Sequence, residues 1–262
     1  MSGAPSTWQS VLAAPTPGQH IAQLYTEPGF LVRGVAHFVG DGLRNGEAAI
    51  LIATPFHWRG IARRLGGDGL DVDELRARGQ LTVRDAAETL EGLLVDGQPD
   101  AARFTTTVGG LIETVKAAGY PRVRAFGEMV DLLRHRDVTA TLRLEELWNQ
   151  VLATHDVALL CGYSLDAFDA EVHRGLLQRV TSAHSDLIPV EDYGRLERAV
   201  ESAYADFFGG AGEAADLRRA FLAHYTRPAA MPDAQAAILA AHEFVPASAP
   251  ALLARIRHHY RR

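Results

Sequence analysis

The chain has 262 residues, 47% of them apolar and 22% charged, an ordinary composition for a globular protein with a substantial core. Its formal net charge of −6 argues against the basic face that nucleic-acid binding needs, and no window approaches the roughly 20 apolar residues of a membrane span. Cys161 is the only cysteine, which excludes an intrachain disulfide and suits a reducing cytoplasm.

Residues 1–18, punctuated by Pro5, Pro15 and Pro17, read as a flexible lead. They lack the basic start and apolar run of a signal peptide. His20 to Tyr25 alternates as a strand does. A helix begins at Pro28, buries Phe30, Leu31, Val35, Phe38, Val39 and Leu43 on one face, and stops at Asn45-Gly46. Ala48 to Ala53 is uniformly apolar, as in a strand covered on both faces. Thr54 then offers an N-cap hydroxyl and Pro55 a preset first turn for a helix with Trp58, Ile61, Ala62 and Leu65 inward.

Further along, the pattern predicts a short helix over 71–78, a strand over 81–85, a helix over 100–118 and a strand over 122–126. A helix over 137–154, a strand over 157–163 and a helix over 165–183 follow. This alternation predicts right-handed crossovers and a parallel sheet. From Glu191 onward there is no strand candidate, only helices at 191–208, 213–226, 233–243 and 248–260.

Ligands of an open parallel sheet bind at the carboxyl ends of its strands. Those ends carry Thr54, Pro55 and His57, then Asp85, then Glu128 and Met129, then Tyr163 and Ser164. A phosphate-cradling turn needs glycines, a lysine and a hydroxyl. The turn after the second strand has Pro55, Phe56 and Trp58 instead, and the sole lysine, Lys116, lies far away on a helix. Arg59 supplies charge there without the lysine geometry. Nucleotide hydrolysis is therefore not expected, although a helix N-terminus still attracts anions.

Glu128 reads either as a general base or as a carboxylate bonded to backbone N–H groups of the next helix. Of Glu145 and Glu146, adjacent on a helix, at most one faces inward. Cys161 within an apolar strand reads as a small core residue. His20 and His184 flank the α/β region and meet in space if its ends do, each more simply as a hydrogen-bonded structural histidine. The eleven histidines contain no H-E-x-x-H and no Cys/His cluster, so no metal site is expected. The basic end (Arg255, Arg257, His258, His259, Arg261, Arg262) suits a solvated helix terminus.

Several stretches together resemble one family. They are His20…Leu24-Tyr25, Gly42-Leu43-Arg44-Asn45-Gly46-Glu47, Ala53-Thr54-Pro55, Arg124-Ala125-Phe126-Gly127-Glu128-Met129, Leu144 to Asn149, Leu160-Cys161-Gly162-Tyr163 and His184-Ser185. Over about 20–188 the chain resembles the MEDS domain, the sensory domain named for methanogens, methylotrophs and the DcmR regulator. The resemblance implies a degenerate relative of the RecA/KaiC-type ATPase fold that senses small molecules, as in transcription regulators, histidine kinases and anti-sigma-type proteins. No kinase segment follows residue 188 and no helix-turn-helix precedes residue 20, so DNA binding is not expected of this chain.

The expectation is thus an α/β fold, a mainly parallel sheet flanked by helices, with 19–188 as sensory domain and 189–262 as a small helical region. Its function is non-catalytic sensing of a small molecule at the strand ends, signalling through the helical tail or a partner protein. The candidate ligand-binding residues are His20, Tyr25, Thr54, Pro55, His57, Arg59, Glu128, Met129, Glu145, Cys161, Tyr163 and His184, with no cofactor named. The alternatives are a residual nucleotide-binding enzyme using Glu128, and an interaction scaffold that docks a partner or a second copy through its tail.

Overall fold

A computed structural model describes residues 7–262. In chain order its first half contains α1 (Trp8–Ala13), β1 (His20–Leu24), α2 (Pro28–Arg44), β2 (Ala48–Ala53), α3 (Pro55–Gly67), α4 (Val72–Ala77), β3 (Leu81–Asp85) and α5 (Ala86–Leu93). A two-residue ladder of β4 (Leu94–Val95) and β5 (Gln98–Pro99) follows, then α6 (Ala101–Phe104), a π-helical turn and α7 (Gly110–Ala117). The second half runs β6 (Val123–Gly127), α8 (Met129–Arg134), α9 (Val138–Leu152), β7 (Val157–Tyr163), α10 (Leu177–Ala183) and β8 (Asp186–Ile188). The tail is α11 (Tyr193–Phe208), α12 (Ala211–His224), α13 (Asp233–Phe244) and α14 (Ala249–Arg261).

The main sheet has six parallel strands in the order β3-β2-β6-β7-β1-β8. Every residue of β1, β2, β6 and β7 is buried, because helices cover both faces and leave no side for polar alternation. Right-handed crossovers put the helices after β1 and β2 on one face and those after β3, β6 and β7 on the other. α2 and α3 accordingly pack together, as do α9 and α10. Gly162 lets α2 approach the sheet: a Cβ there would lie 2.9 Å from Leu31 Cδ1. Its neighbours Cys161 and Tyr163 therefore point to the opposite face, toward α9.

Most expected elements stand where the periodicity puts them, and four departures have physical causes. Within the expected flexible lead, residues 8–13 form a helix, started by reciprocal bonds between Thr7 and Ser10 and held by buried Trp8 and Leu12; residues 1–6 of that lead lie outside the described residues. The helix expected over 165–183 is regular only from Leu177 and is preceded by a π-helical turn, Val172–Leu176. Asp166 accepts from Phe168 N–H at 2.8 Å and Asp169 from Glu171 N–H at 2.7 Å, which draws the backbone into turns. β8 is a sixth strand of three residues, too short to show a period. α5 and α8 add two helices to the pattern, each a short segment beside a strand end.

The tail is not a loose appendage. Leu187 N–H donates to Ala230 O and Ala230 N–H to Ser185 O, each at 2.8 Å, so residue 230 pairs with the outer edge of β8. Arg257 of α14 reaches Asp166 at 2.8 Å, just after β7.

Candidate functional site

In a sheet of this kind a crevice opens where adjacent strands send their connections to opposite faces. Among the four fully buried strands that happens between β2 and β6, and again between β7 and β1.

The β2–β6 crevice is closed by the protein's own side chains. Thr54 caps α3 as its position before Pro55 predicts. Thr54 N–H donates to Glu128 Oε1, and Glu128 Oε2 lies 2.6 Å from His57 Nδ1. Glu128 and His57 are both buried. A carboxylate of the chain thus sits on the helix N-terminus where an anionic ligand would bind.

Beside it, buried Asp131 accepts from Ser164 N–H at 2.9 Å, Ser164 Oγ–H at 2.6 Å and Arg134 Nε at 2.6 Å. Tyr25 lies edge-on to His57 at 5.7 Å. Burial first, then the Asp131 and Glu128 carboxylates, hold its hydroxyl well above the ordinary range, so it is a hydrogen-bonding group and not an acid.

The β7–β1 crevice is open. It holds a cavity of about 370 Å³ with Leu24, Tyr25 and Phe30 on one side and Leu165 and Phe168 on another. Tyr260 of α14 borders it, its ring 4.8 Å from that of Phe168. Glu27, Asp166, Glu191 and Arg261 supply polar groups at the lining. The cavity is therefore shared between the sheet and the tail.

A third arrangement lies beneath the sheet face covered by α9 and α10. His20 opens β1, Cys161 lies within β7, Glu145 projects from α9 and His184 ends α10. Their ligating atoms all fall within 4.8 Å of one another, and all four residues are buried. The His20 and His184 rings lie 3.9 Å apart. His20 Nε2 is 3.4 Å from Cys161 Sγ and 3.3 Å from Glu145 Oε2. His184 Nε2 is 3.6 Å from Glu145 Oε1, which accepts the Tyr163 hydroxyl proton.

Burial, with His20 adding to it, lowers His184 to about 4, so this ring is neutral at pH 7. Burial alone would raise Glu145, but His184, His20 and the Tyr163 hydroxyl hold its carboxyl down at about 2. Burial and the Glu145 carboxylate push the Cys161 thiol well up. The set can accept a proton or a cation at its centre.

The sequence candidates therefore divide into separate places. Thr54, His57, Glu128 and Tyr25 meet at the strand ends. His20, Glu145, Cys161, Tyr163 and His184 meet under the sheet, so Tyr163 does not face the strand-end crevice that its position suggested. Met129 is wholly buried in the core, and Pro55 is exposed. Arg59 points instead into a groove of about 780 Å³ between α2 and α3, with Arg33, Arg63 and Arg64. Sequence reasoning gave no role to Asp131, Phe168 or Tyr260, which no local pattern marks. Asn149 had a usable signal, since it shares a helix face with Glu145 four residues earlier. No spacing rule reveals the four-residue cluster, whose members come from four separate elements.

Among the described residues no helix is long and apolar enough to cross a membrane. A search of curated proteins finds no match to the chain. The family model of the MEthanogen/methylotroph, DcmR Sensory domain matches residues 19–184. That span holds both crevices' strands and all four cluster residues, while the tail helices lie beyond it. With more than half its length matched, the chain belongs to the MEDS sensory-domain family.

Proposed function

We propose that this chain is a non-catalytic sensory protein that takes a small molecule into the β7–β1 crevice and signals through its helical tail or a protein bound to it. The observation that carries this reading is the shared wall of the cavity: Leu24 and Phe168 come from the α/β unit and Tyr260 from α14. A ligand there touches both parts at once, and a ligand shifts an equilibrium only when it binds two arrangements with different affinity. A volume of about 370 Å³ suits a small guest. Its apolar and aromatic walls, with Glu27, Asp166 and Arg261 beside them, favour an apolar body carrying one polar group.

The non-catalytic part of the reading draws on the β2–β6 crevice. Glu128, the residue best suited to act as a general base, already accepts from Thr54 N–H and pairs with His57. Kinship with RecA/KaiC-type nucleotide hydrolases is part of the same proposal. It is supported by the parallel sheet with helices on both faces and by a strand-to-helix turn in which Pro55 and Phe56 stand where glycines would.

The test is a small-molecule screen on the full chain by thermal shift and native mass spectrometry, followed by hydrogen exchange of any binder. Expected is a compound that raises Tm and slows exchange in both Leu165–Phe168 and α14. A binder that protects only the α2–α3 groove would reject the site. Turnover of ATP that disappears in Glu128→Gln would reject the non-catalytic reading.

A further inference from the structure

We propose that His20, Glu145, Cys161 and His184 bind one divalent transition-metal ion, Zn(II) in the first place, beneath the α9–α10 face of the sheet. The proposal does not depend on what occupies the β7–β1 crevice.

The outer atom of each of three of these side chains is bonded outside the set, and the inner atom faces only the other members of the set. Asn149 Nδ2 donates to Ala183 O at 3.1 Å, which turns Asn149 Oδ1 toward His20 Nδ1 at 2.9 Å. An amide oxygen only accepts, so Nδ1 of His20 carries the proton and Nε2 presents its lone pair inward. His184 repeats the arrangement: Nδ1 donates to Val180 O at 2.7 Å, and Nε2 has no hydrogen-bond partner. Glu145 takes the Tyr163 proton on Oε1, while Oε2 is buried without a hydrogen-bond partner although His20 Nε2 is 3.3 Å away.

Metal-binding histidines and carboxylates are oriented by such outer bonds, which fix the tautomer and aim the free lone pair. Lone pairs that face one another across a dry pocket repel. Among the described residues the only basic side chains within ion-pair distance of Glu145 are those of His20 and His184. A buried carboxylate oxygen left without a hydrogen-bond donor is costly. A metal ion at the centre removes both penalties.

The dimensions and the donor set agree. A tetrahedron with metal–ligand bonds of about 2.1 Å has ligands about 3.4 Å apart. Two of the separations between inner atoms, His20 Nε2 to Glu145 Oε2 and to Cys161 Sγ, are 3.3 and 3.4 Å, and the widest in the set is within 4.8 Å, a spread that small side-chain rotations close. Two imidazole nitrogens, one sulfur and one carboxylate oxygen select Zn(II) over Mg(II) or Ca(II), which prefer oxygen alone.

On binding, the Cys161 S–H bond is replaced by a metal–sulfur bond and the proton leaves to solvent, with no change of oxidation state. A pocket of about 660 Å³ between α9 and α10 approaches the set from outside, lined by Glu145, Asn149, Gln178 and Arg179, beside the kink at Gly175.

The experiment loads the full chain, stripped with chelator, with Zn(II) and separately with Co(II), a spectroscopic substitute. Expected is one equivalent of tightly held metal, with the intense visible bands of tetrahedral cobalt and a thiolate-to-cobalt charge-transfer band. Cys161→Ser keeps the visible bands and loses the charge-transfer band. Asn149→Ala, a positioning variant, weakens binding about 10- to 100-fold.

Zinc-edge X-ray absorption of the wild-type chain covers the case in which a variant does not fold; it should show one sulfur at about 2.3 Å and three lighter neighbours. Failure to take up an equivalent of either metal, a charge-transfer band that survives in Cys161→Ser, or an absorption spectrum without sulfur overturns the proposal. Any of these leaves His20 and His184 as members of a proton-sharing core network.

Discussion

Glu128 is the side chain on which the strand ends close. Its two oxygens serve different partners, the Thr54 N–H and the His57 ring, and it has almost no exposure of its own. Glu128→Ala strips a hydrogen-bond acceptor from two buried groups, each worth about 1–3 kcal/mol when left unpaired. The expected loss is about 2–4 kcal/mol in denaturant unfolding at pH 7. Glu128→Gln keeps an oxygen for Thr54 and an NH₂ for a ring nitrogen, so it should recover most of that loss. Equal losses in the two variants would mean that the negative charge, and not the bonding, matters.

Glu128 and His57 were each legible in the sequence as strand-end residues. Their partnership was not, because the two stand 71 positions apart and meet only once β2 and β6 pair.

At the scale of elements, legibility followed length and burial. Six uniformly apolar residues gave β2, and Thr54-Pro55 gave the start of α3. Over 165–183 the apolar spacing suits a continuous helix, but Asp166 and Asp169 accept from nearby backbone N–H groups and the regular helix starts only at Leu177. The π-helical turn that results carries His173, whose ring stacks on His242 of α13 at 4.6 Å and whose Nε2 lies 2.8 Å from Ala167 O. Burial, opposed in part by the Ala167 carbonyl, lowers His173 to about 4, against about 6.5 when unfolded. Burial and Arg174 also lower His242.

The unfolded chain therefore binds more protons than the folded one between pH 6.5 and 4. Stability is fully present above about pH 6.5 and is lost as pH falls, by at most about 1.4 kcal/mol per pH unit for this one ring. Denaturant titrations at pH 7, 6 and 5 should show a shallower acid loss in His173→Asn than in wild type. A parallel pair of profiles would mean that the ring protonates freely in the folded protein.

For the whole molecule, the tail and the α/β unit form one structure. The pairing of Ala230 with β8 covers part of that edge of the sheet, and an uncovered edge is a template for further strands. Tyr204 OH donates to Ala237 O at 2.8 Å inside the tail, and Arg33 of α2 pairs with Glu191 at 2.6 Å where the tail begins. A chain cut after residue 188 should expose β8 and the wall of the cavity, and light scattering should find it as large associated species. A monodisperse truncated protein of unchanged Tm would show that the tail contributes nothing to the sheet.

The tail's helices were readable from their periodicity. Their contribution to the cavity was not, since Tyr260 and Leu24 lie at opposite ends of the chain and come together only when it is folded.

The closed β2–β6 crevice has a consequence for what this protein can ignore. Glu128 is a tethered competitor for the anion position at the start of α3, and a tethered group acts at an effective concentration on the order of millimolar or more. Any free phosphate compound approaching that turn competes with a carboxylate that never diffuses away. Under the proposed function this disfavours the commonest anions at that turn and assigns the sensing of a different molecule to the other crevice.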